Sequence, residues 1–129
     1  MKKIRIIYWV STIIISAMML MSAAMYFTSA QVKAGFTHLG YPDYFRVELA
    51  LAKLAGLIVL LVPLIKGVIK EWAYFGFFIT FVSALIAHIN SGDPSSVWFM
   101  PVLLTFILGV SWWSYHKIYL SRNVSQIKA

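Results

Sequence analysis

Four long apolar stretches, separated by short polar segments, make up most of the sequence. They cover residues 6–27, 44–65, 72–89 and 97–115, and each is close to the roughly 20 residues that a helix needs to cross a membrane. The stretches are continuously apolar and lack the alternation that is typical of barrel strands. We therefore predict an all-α protein, a transmembrane four-helix bundle that forms one membrane domain over residues 1–129.

Glycine and proline mark the connections between these stretches. Pro42 stands at the first position of the second predicted helix, Gly67 closes that helix, and Glu71 opens the third. Gly92-Asp93-Pro94 ends the third helix. Residues 31–43 form the longest connection, and we expect this outer loop to lie on the membrane surface.

Lysine and arginine predict the orientation. Eight of them flank one end of the predicted bundle, and only Lys33 and Arg46 lie in the loops at the other end. The eight are Lys2, Lys3, Arg5, Lys66, Lys70, Lys117, Arg122 and Lys128. Cytoplasmic segments are rich in these residues, so we predict that both termini are inside. A cleaved signal peptide is the alternative for the first stretch, which is longer than the 7–15 apolar residues of such peptides.

Composition supports a membrane protein and excludes several other classes. Hydrophobic residues make up 61% of the chain and charged residues 12%, against roughly 45–50% and about 25% in soluble domains. The net charge of +7 is concentrated at the ends of the apolar stretches, which is typical of contact with anionic headgroups and not of nucleic-acid binding. The absence of cysteine excludes disulfide exchange and thiolate metal sites. We expect the lipid bilayer, and no nucleic acid, as a partner.

Lys53 lies near the middle of the second stretch, where an ammonium group costs about 2.5–3.5 kcal/mol on insertion scales. Ser16, Thr80 and Thr105 fall at the same predicted depth on the other helices. Glu48 is about 140° away around the same helix and is not placed to pair with Lys53. Three environments stay open for Lys53: a neutral amine, hydrogen bonds to hydroxyls and carbonyls, or a ligand that enters from outside.

Four further polar residues cluster near the predicted outer boundary. Glu48 and His88 each fall about one turn inside it, and the short loop between their helices makes these helices antiparallel neighbours, so we expect a Glu48–His88 contact. His38 and Asp93 would cover the same mouth from the loops. With Lys53, these residues are the candidate ligand-binding set. Their spacing matches no known metal pattern, so we predict no metal site.

Several segments carry these residues in a recognisable order. They are residues 38–45 (HLGYPDYF), 49–56 (LALAKLAG) and 70–77 (KEWAYFGF), then His88 followed by Gly92-Asp93-Pro94. Taken together, they resemble the DoxX-like family of small four-helix membrane proteins. The resemblance implies a bundle in the cytoplasmic membrane of a prokaryote and an association with membrane redox chemistry, including partners in oxidative-stress complexes.

By position, the resemblance points to Lys53, His88, Asp93 and His38 as the residues of interest. Our leading hypothesis is an outward-facing pocket for a lipophilic ligand, a quinone or a lipid, in an accessory subunit of a redox complex. A small transporter is an alternative, but small multidrug exporters have a buried acid in the first helix, and residues 6–27 contain none. A structural or assembly subunit is another alternative. Stand-alone catalysis is not expected, because the chain has no cysteine or cofactor motif.

Overall fold

The protein is mostly helical in a computed structural model. The structure describes residues 2–128, except for the side chains at 120, 123–125 and 128. The five helices are α1 (Lys2–Thr28), α2 (Ala30–His38), α3 (Asp43–Leu61), α4 (Val68–Asn90) and α5 (Ser95–Lys128). The prediction of an all-α protein is therefore confirmed. The side chain of Lys128, which we counted among the inner cations, lies outside the described residues.

Three of the helices are long and apolar enough to cross a membrane: α1, α4 and the part of α5 from Ser95 to Tyr119. The fourth predicted span corresponds to α3, which has 19 residues and includes Asp43, Arg46, Glu48 and Lys53. These charged residues keep α3 out of the group of clearly apolar spans. Length and composition therefore support three spans, and α3 is a helix whose charges need partners.

Each of the four longer helices packs against two of the other three. α1 packs against α3 and α5, α4 packs against the same two helices, and α2 rests on α3 and α1. One apolar cluster lies between the four, and its members include Ile15, Met19, Leu60, Phe77, Phe81, Leu104 and Leu108. The outward faces are also apolar, with Leu61, Phe75 and Phe106 exposed. An apolar surface of this extent suits contact with lipid tails or with another protein.

Two helix ends differ from the predicted ones because of Pro63 and Gly67. α3 ends at Leu61 and not at residue 65, because Val62 precedes Pro63 and takes an extended conformation, φ −82° and ψ 113°. Gly67, with φ 73°, is the N-cap of α4 and does not close the second helix. α4 accordingly begins before the predicted start, and α5 continues past the end of the fourth apolar stretch.

α2 occupies most of the segment that we predicted as an outer loop. Its first turn is capped by Ser29, whose hydroxyl accepts a 3.3 Å hydrogen bond from the Val32 N–H. Its last turn closes in a Schellman motif, in which Gly40 has φ 87° and the Tyr41 N–H donates to the Phe36 carbonyl at 3.0 Å. Two capped ends make α2 a defined helix even though it has only nine residues.

Candidate ligand-binding site

A cavity of about 420 Å³ lies between α2, α3 and α4. Its volume is within the roughly 300–1,000 Å³ range of small-molecule sites. Apolar side chains form most of the wall: Val32, Phe36, Leu39, Tyr41, Phe45, Leu49 and Ile79. The polar groups are few, and they include Tyr26 from α1 and the rings of His38 and His88. An apolar wall with a few polar groups is the composition expected for a lipophilic ligand that carries an oxygen.

A second cavity, of about 350 Å³, continues from the first along the groove between α3 and α4. The two share Leu49 and Thr80, and Lys53 lines the second one. Gly56 allows the helices to approach here, since a Cβ at this position would stand 2.8 Å from the Phe77 ring. The combined space extends from α2 to the middle of α3.

Lys53 is buried, and its ammonium group is held by α1. It donates hydrogen bonds to the hydroxyls of Ser22, at 2.8 Å, and Tyr26, at 2.6 Å. The ammonium also stands 3.9 Å from the centroid of the Tyr26 ring, a distance that allows a cation–π interaction. Ser22 and Tyr26 are four residues apart and therefore lie on one face of α1. Of the three environments considered for Lys53, this geometry corresponds to hydrogen bonding by hydroxyls.

The other hydroxyls at the predicted depth of Lys53 do not contact it among the described residues. Thr80 donates to the Gly76 carbonyl at 2.8 Å, and Thr105 donates to the Pro101 carbonyl at 2.7 Å. The Ser16 hydroxyl is buried, and within the described part of the chain it has no hydrogen-bond partner. Residues at the same predicted depth in the membrane therefore have side chains that point in different directions.

Tyr26 connects Lys53, in the middle of α3, with Arg46, near the N-terminal end of the same helix. Its phenol accepts from Lys53, while its main-chain carbonyl accepts a hydrogen bond from the guanidinium group of Arg46. Arg46 is held in turn by Asp43, whose carboxylate lies 3.1 Å from Nη2. The ring of Tyr26 packs edge-on against Phe36 of α2, with centroids 4.9 Å apart. Tyr26 of α1 therefore contacts two other helices, α2 and α3, at the wall of the first cavity.

Asp93 lies between two histidines at the rim of the same cavity. His88 Nδ1 donates to one carboxylate oxygen at 2.7 Å, and His38 Nε2 donates to the other at 3.0 Å. We call this group the His–Asp–His clasp, because it joins the end of α2 to the end of α4. Each imidazole bonds a different oxygen, and no three metal-ligand side chains converge on one point within the described residues.

The backbone at the end of α4 places Asp93 beside His88. Gly92 has φ 74°, the Asp93 N–H donates to the His88 carbonyl at 3.0 Å, and the Gly92 N–H donates to the Ile89 carbonyl at 3.1 Å. These two bonds define a Schellman motif, which turns the chain back over the last helical turn. The same turn brings the Asp93 carboxylate to the His88 ring.

The clasp also changes the acidity of Asp93. The hydrogen bond from His88, and then that from His38, lower the pKa of the Asp93 carboxyl below its ordinary value, because both favour the ionised form. An ionised carboxylate only accepts hydrogen bonds, so a neutral His88 carries its proton on Nδ1 and a neutral His38 on Nε2. The clasp therefore holds a negative charge near the cavity rim at neutral pH.

Glu48 stands apart from the other predicted site residues. The expected contact with His88 is wrong, since His88 bonds Asp93, and Glu48 is exposed with no hydrogen bond or ion pair to the rest of the described chain. The physical reason is its direction on α3. Lys53 points toward α1, and Glu48 is about 140° from it around the helix. Glu48 therefore points away from the cavity.

A second polar cluster, at the opposite end of the molecule, was not found from the sequence. The hydroxyl of Ser111 is hydrogen-bonded to Thr12, at 2.6 Å, and to Tyr74, at 2.7 Å. These residues are buried and join α1, α4 and α5. Serine and threonine in apolar helices commonly mediate helix packing, but no signal in the sequence identifies which of them meet. Buried hydroxyls that are hydrogen-bonded to one another in this way join the three helices and stabilise the fold.

Because three of its helices are long and apolar enough to span a bilayer, the protein is a multi-pass membrane protein. The model of the DoxX-like family matches residues 10–111, about four-fifths of the chain, and the protein belongs to this family. The resemblance noted in the sequence is thereby confirmed. Comparison with curated proteins and with solved structures gave no significant match.

Proposed function

We propose that this DoxX-like protein binds a lipophilic ligand with a polar oxygen, a quinone or a lipid, in the cavity under α2. In this proposal the four longer helices form a bundle in the cytoplasmic membrane of a prokaryote, with both termini inside. The cavity then opens near the outer face, because α2 and the clasp are at the end with fewer lysine and arginine residues. The function would be to hold the ligand for a membrane redox or oxidative-stress complex.

The observation that carries the proposal is the Tyr26 phenol in the wall of a mostly apolar cavity. Its oxygen accepts from Lys53, so its own proton is available to Ser22 or to an oxygen of the ligand. The ammonium polarises the phenol, which makes it a stronger donor. Lys53 would therefore act through Tyr26, and a quinone carbonyl or a lipid ester would accept the hydrogen bond.

The His–Asp–His clasp would control entry to the cavity. α2 covers one side of the space, and its last residue, His38, is held by Asp93. Release of this contact would let α2 move from α4 while its N-terminal end stays joined to α1 through Ser29. His88 and Asp93 would then have a gating role at the mouth.

Ligand binding can be measured on the detergent-purified protein with decylubiquinone as the probe, by isothermal titration calorimetry. Loss of one hydrogen bond should weaken binding about tenfold in Tyr26→Phe, and Lys53→Met should also weaken it. Tyr44→Phe is the matched control, because Tyr44 is exposed on α3 and does not line the cavity. Unchanged affinity in both cavity variants would overturn the proposal, and native mass spectrometry of gently extracted protein would identify a lipid bound instead.

An assembly subunit is a second candidate, which the position of Glu48 favours. A carboxylate on the outward face of a membrane helix is costly unless a partner covers it. Glu48 lies between exposed Tyr44 and Leu51 on that face. If a partner subunit covers α3, Glu48→Gln should reduce the mass of the complex extracted in mild detergent. Asp43→Asn is the control, because Asp43 already has a partner in Arg46.

A further inference from the structure

A separate pocket lies at the lysine- and arginine-rich end of the molecule, far along the helices from α2. It has a volume of about 250 Å³, which equals roughly eight water molecules at about 30 Å³ each. The loop between α3 and α4 contributes Lys66, and the last turns of α5 contribute the rest: Tyr115, Ile118, Tyr119, Arg122 and Gln126. Its size suits a small polar group and not a quinone ring with its tail.

The charge of this pocket is positive. Lys66 and Arg122 both line it, and no acidic side chain does so among the described residues. Glu71 is at the same end of the molecule, but its carboxylate already accepts hydrogen bonds from Trp112, at 3.0 Å, and from His116. The pocket therefore has two cations that an anion from outside the chain can neutralise.

Lys70, beside the pocket, is also short of partners. Only 1% of it is exposed, yet its ammonium donates a single long hydrogen bond within the described chain, 3.4 Å to the Val62 carbonyl. It lies 5.7 Å from the ring of Tyr115, which lines the pocket, and the charge of Lys66 repels it. A buried ammonium has three donors to satisfy, and an anion in the neighbouring pocket would offset the repulsion between Lys66 and Lys70.

Neutral donors complete the arrangement. The Tyr115 hydroxyl accepts a 3.0 Å hydrogen bond from the Gly67 N–H, so its own proton remains to be donated. The Gln126 amide and the Tyr119 hydroxyl are further donors among the lining groups. Arginine suits the tetrahedral oxygens of phosphate because its guanidinium group can donate two parallel hydrogen bonds.

We infer that this pocket is a phosphate-binding site, with Lys66 and Arg122 as its charged ligands and with the phosphate supplied by an anionic lipid headgroup or by free phosphate. Basic pockets between membrane helices on the cytoplasmic side bind such headgroups. The inference does not depend on the proposed quinone or lipid site, since the two share no residue.

The test uses the whole protein in neutral detergent and measures the thermal midpoint with added phosphatidylglycerol, phosphatidylcholine or inorganic phosphate at constant ionic strength. Phosphatidylglycerol should raise the midpoint more than phosphatidylcholine does, because the choline cation is repelled by the pocket. Removal of both charges in the double variant Lys66→Gln/Arg122→Gln should weaken phosphatidylglycerol binding by about 30-fold. Lys66→Arg should retain it.

Lys117→Gln is the matched control, since Lys117 is an exposed cation at the same end that does not line the pocket. A pocket-dependent response to phosphatidylglycerol alone assigns a lipid headgroup, and an equal response to inorganic phosphate assigns free phosphate. An equal loss in Lys117→Gln and in the double variant would overturn the inference, because it would mean general surface attraction. No response to any phosphate compound, with no bound lipid phosphorus in the purified protein, would also overturn it.

Discussion

The described residues include two buried lysines, one near the middle of α3 and one in the first turn of α4, and their surroundings differ. Lys53 is 5% exposed and donates two hydrogen bonds of 2.6 Å and 2.8 Å to hydroxyls of α1. Lys70 is 1% exposed and donates one of 3.4 Å to a carbonyl. The lysine residue with the smaller exposed fraction is therefore the one whose ammonium group has fewer and longer hydrogen bonds.

This difference separates a structural contact from a binding site. The partners of Lys53 are supplied by the chain itself, so the ligand that we propose would contact Tyr26 and not the ammonium group. Lys70 donates only one long hydrogen bond within the described chain, and in our inference an anion beside Lys66 compensates for the two charges. Burial by itself therefore does not identify the lysine that awaits a ligand, and the number and length of its hydrogen bonds do so better.

The largest expected effect tests the well-satisfied lysine. Tyr26→Phe removes one acceptor from a buried ammonium group and should lower the free energy of unfolding by about 1.5–3 kcal/mol. Unfolding by sodium dodecyl sulfate in mixed micelles measures it, with Tyr44→Phe as the control because Tyr44 is 72% exposed. Equal, small effects of the two substitutions would show that Lys53 does not depend on the phenol.

A smaller effect is expected where α3 and α4 approach each other beside Lys53. In Gly56→Ala the new methyl group would lie 2.8 Å from the Phe77 ring, which must tilt away. We expect a loss of about 1 kcal/mol, near the lower limit for overpacking, because a ring can tilt more easily than a backbone can move.

Gly76→Ala on α4 is the control for this substitution. Its Cβ meets no atom within 4 Å, and alanine favours a helix over glycine, so unfolding should become harder and not easier. The same denaturant titration measures both variants. A stabilising effect of Gly56→Ala would contradict the close approach of the two helices.

Substitution of Lys70, whose ammonium donates only one long hydrogen bond within the described chain, should have a still smaller effect on the free energy of unfolding. Lys70→Met removes a charge that has one long hydrogen bond, so in phosphatidylcholine without added phosphate the free energy of unfolding should change by less than about 1 kcal/mol, or rise. With phosphatidylglycerol, the wild type should gain more stability than the variant. A loss as large as that of Tyr26→Phe, in the absence of an anion, would remove the contrast between the two lysines.

The smallest effect is local and depends on pH. Because the pKa of Asp93 is lowered in the folded protein, the clasp contributes stability above the ordinary carboxyl range and loses it as the pH falls through the lowered value. Protonated histidines still donate to the carboxylate, so protonation of Asp93 is the step that breaks the clasp. α2 should then become more mobile.

A spin label measures this mobility, and the cysteine-free chain allows a single attachment site at Ala34→Cys on exposed α2. The label should gain mobility only as the pH falls below the ordinary carboxyl pKa of about 4 and through the lowered pKa of Asp93 in the wild type. In the Asp93→Asn background it should be mobile throughout, with little pH dependence. A label that stays immobile at low pH would show that the clasp does not hold α2.

The sequence predicts the helices better than it predicts the directions of their polar side chains. Continuous apolar residues are sufficient to place α1, α4 and α5, because hydropathy alone defines a span. The partners of Lys53 could not be predicted from the sequence. Ser22 and Tyr26 lie on α1, and nothing in the sequence shows that α1 packs against α3. The Glu48–His88 prediction failed because equal depth does not mean equal direction around a helix.

Other features were within reach of local rules. Val62 before Pro63 indicates an early end to α3, since the residue before proline avoids the helical conformation. Gly92 after the last turn of α4 is the usual mark of a Schellman motif, and this motif returns Asp93 to His88. These two rules are sufficient to predict the end of α3 and the His88–Asp93 half of the clasp from the sequence.

The clasp also bears on the order in which the protein assembles. His88 and Asp93 are five residues apart and meet as soon as the end of α4 forms, whereas His38 and Asp93 are 55 residues apart. The His38–Asp93 contact requires closure of a long segment that includes α3 and α4. The entropic cost of this closure is lower once those helices have been inserted, so the contact should form after them. We therefore expect α2 to dock against the end of α4 only after α3 and α4 are in place, and the cavity beneath α2 to close at that step.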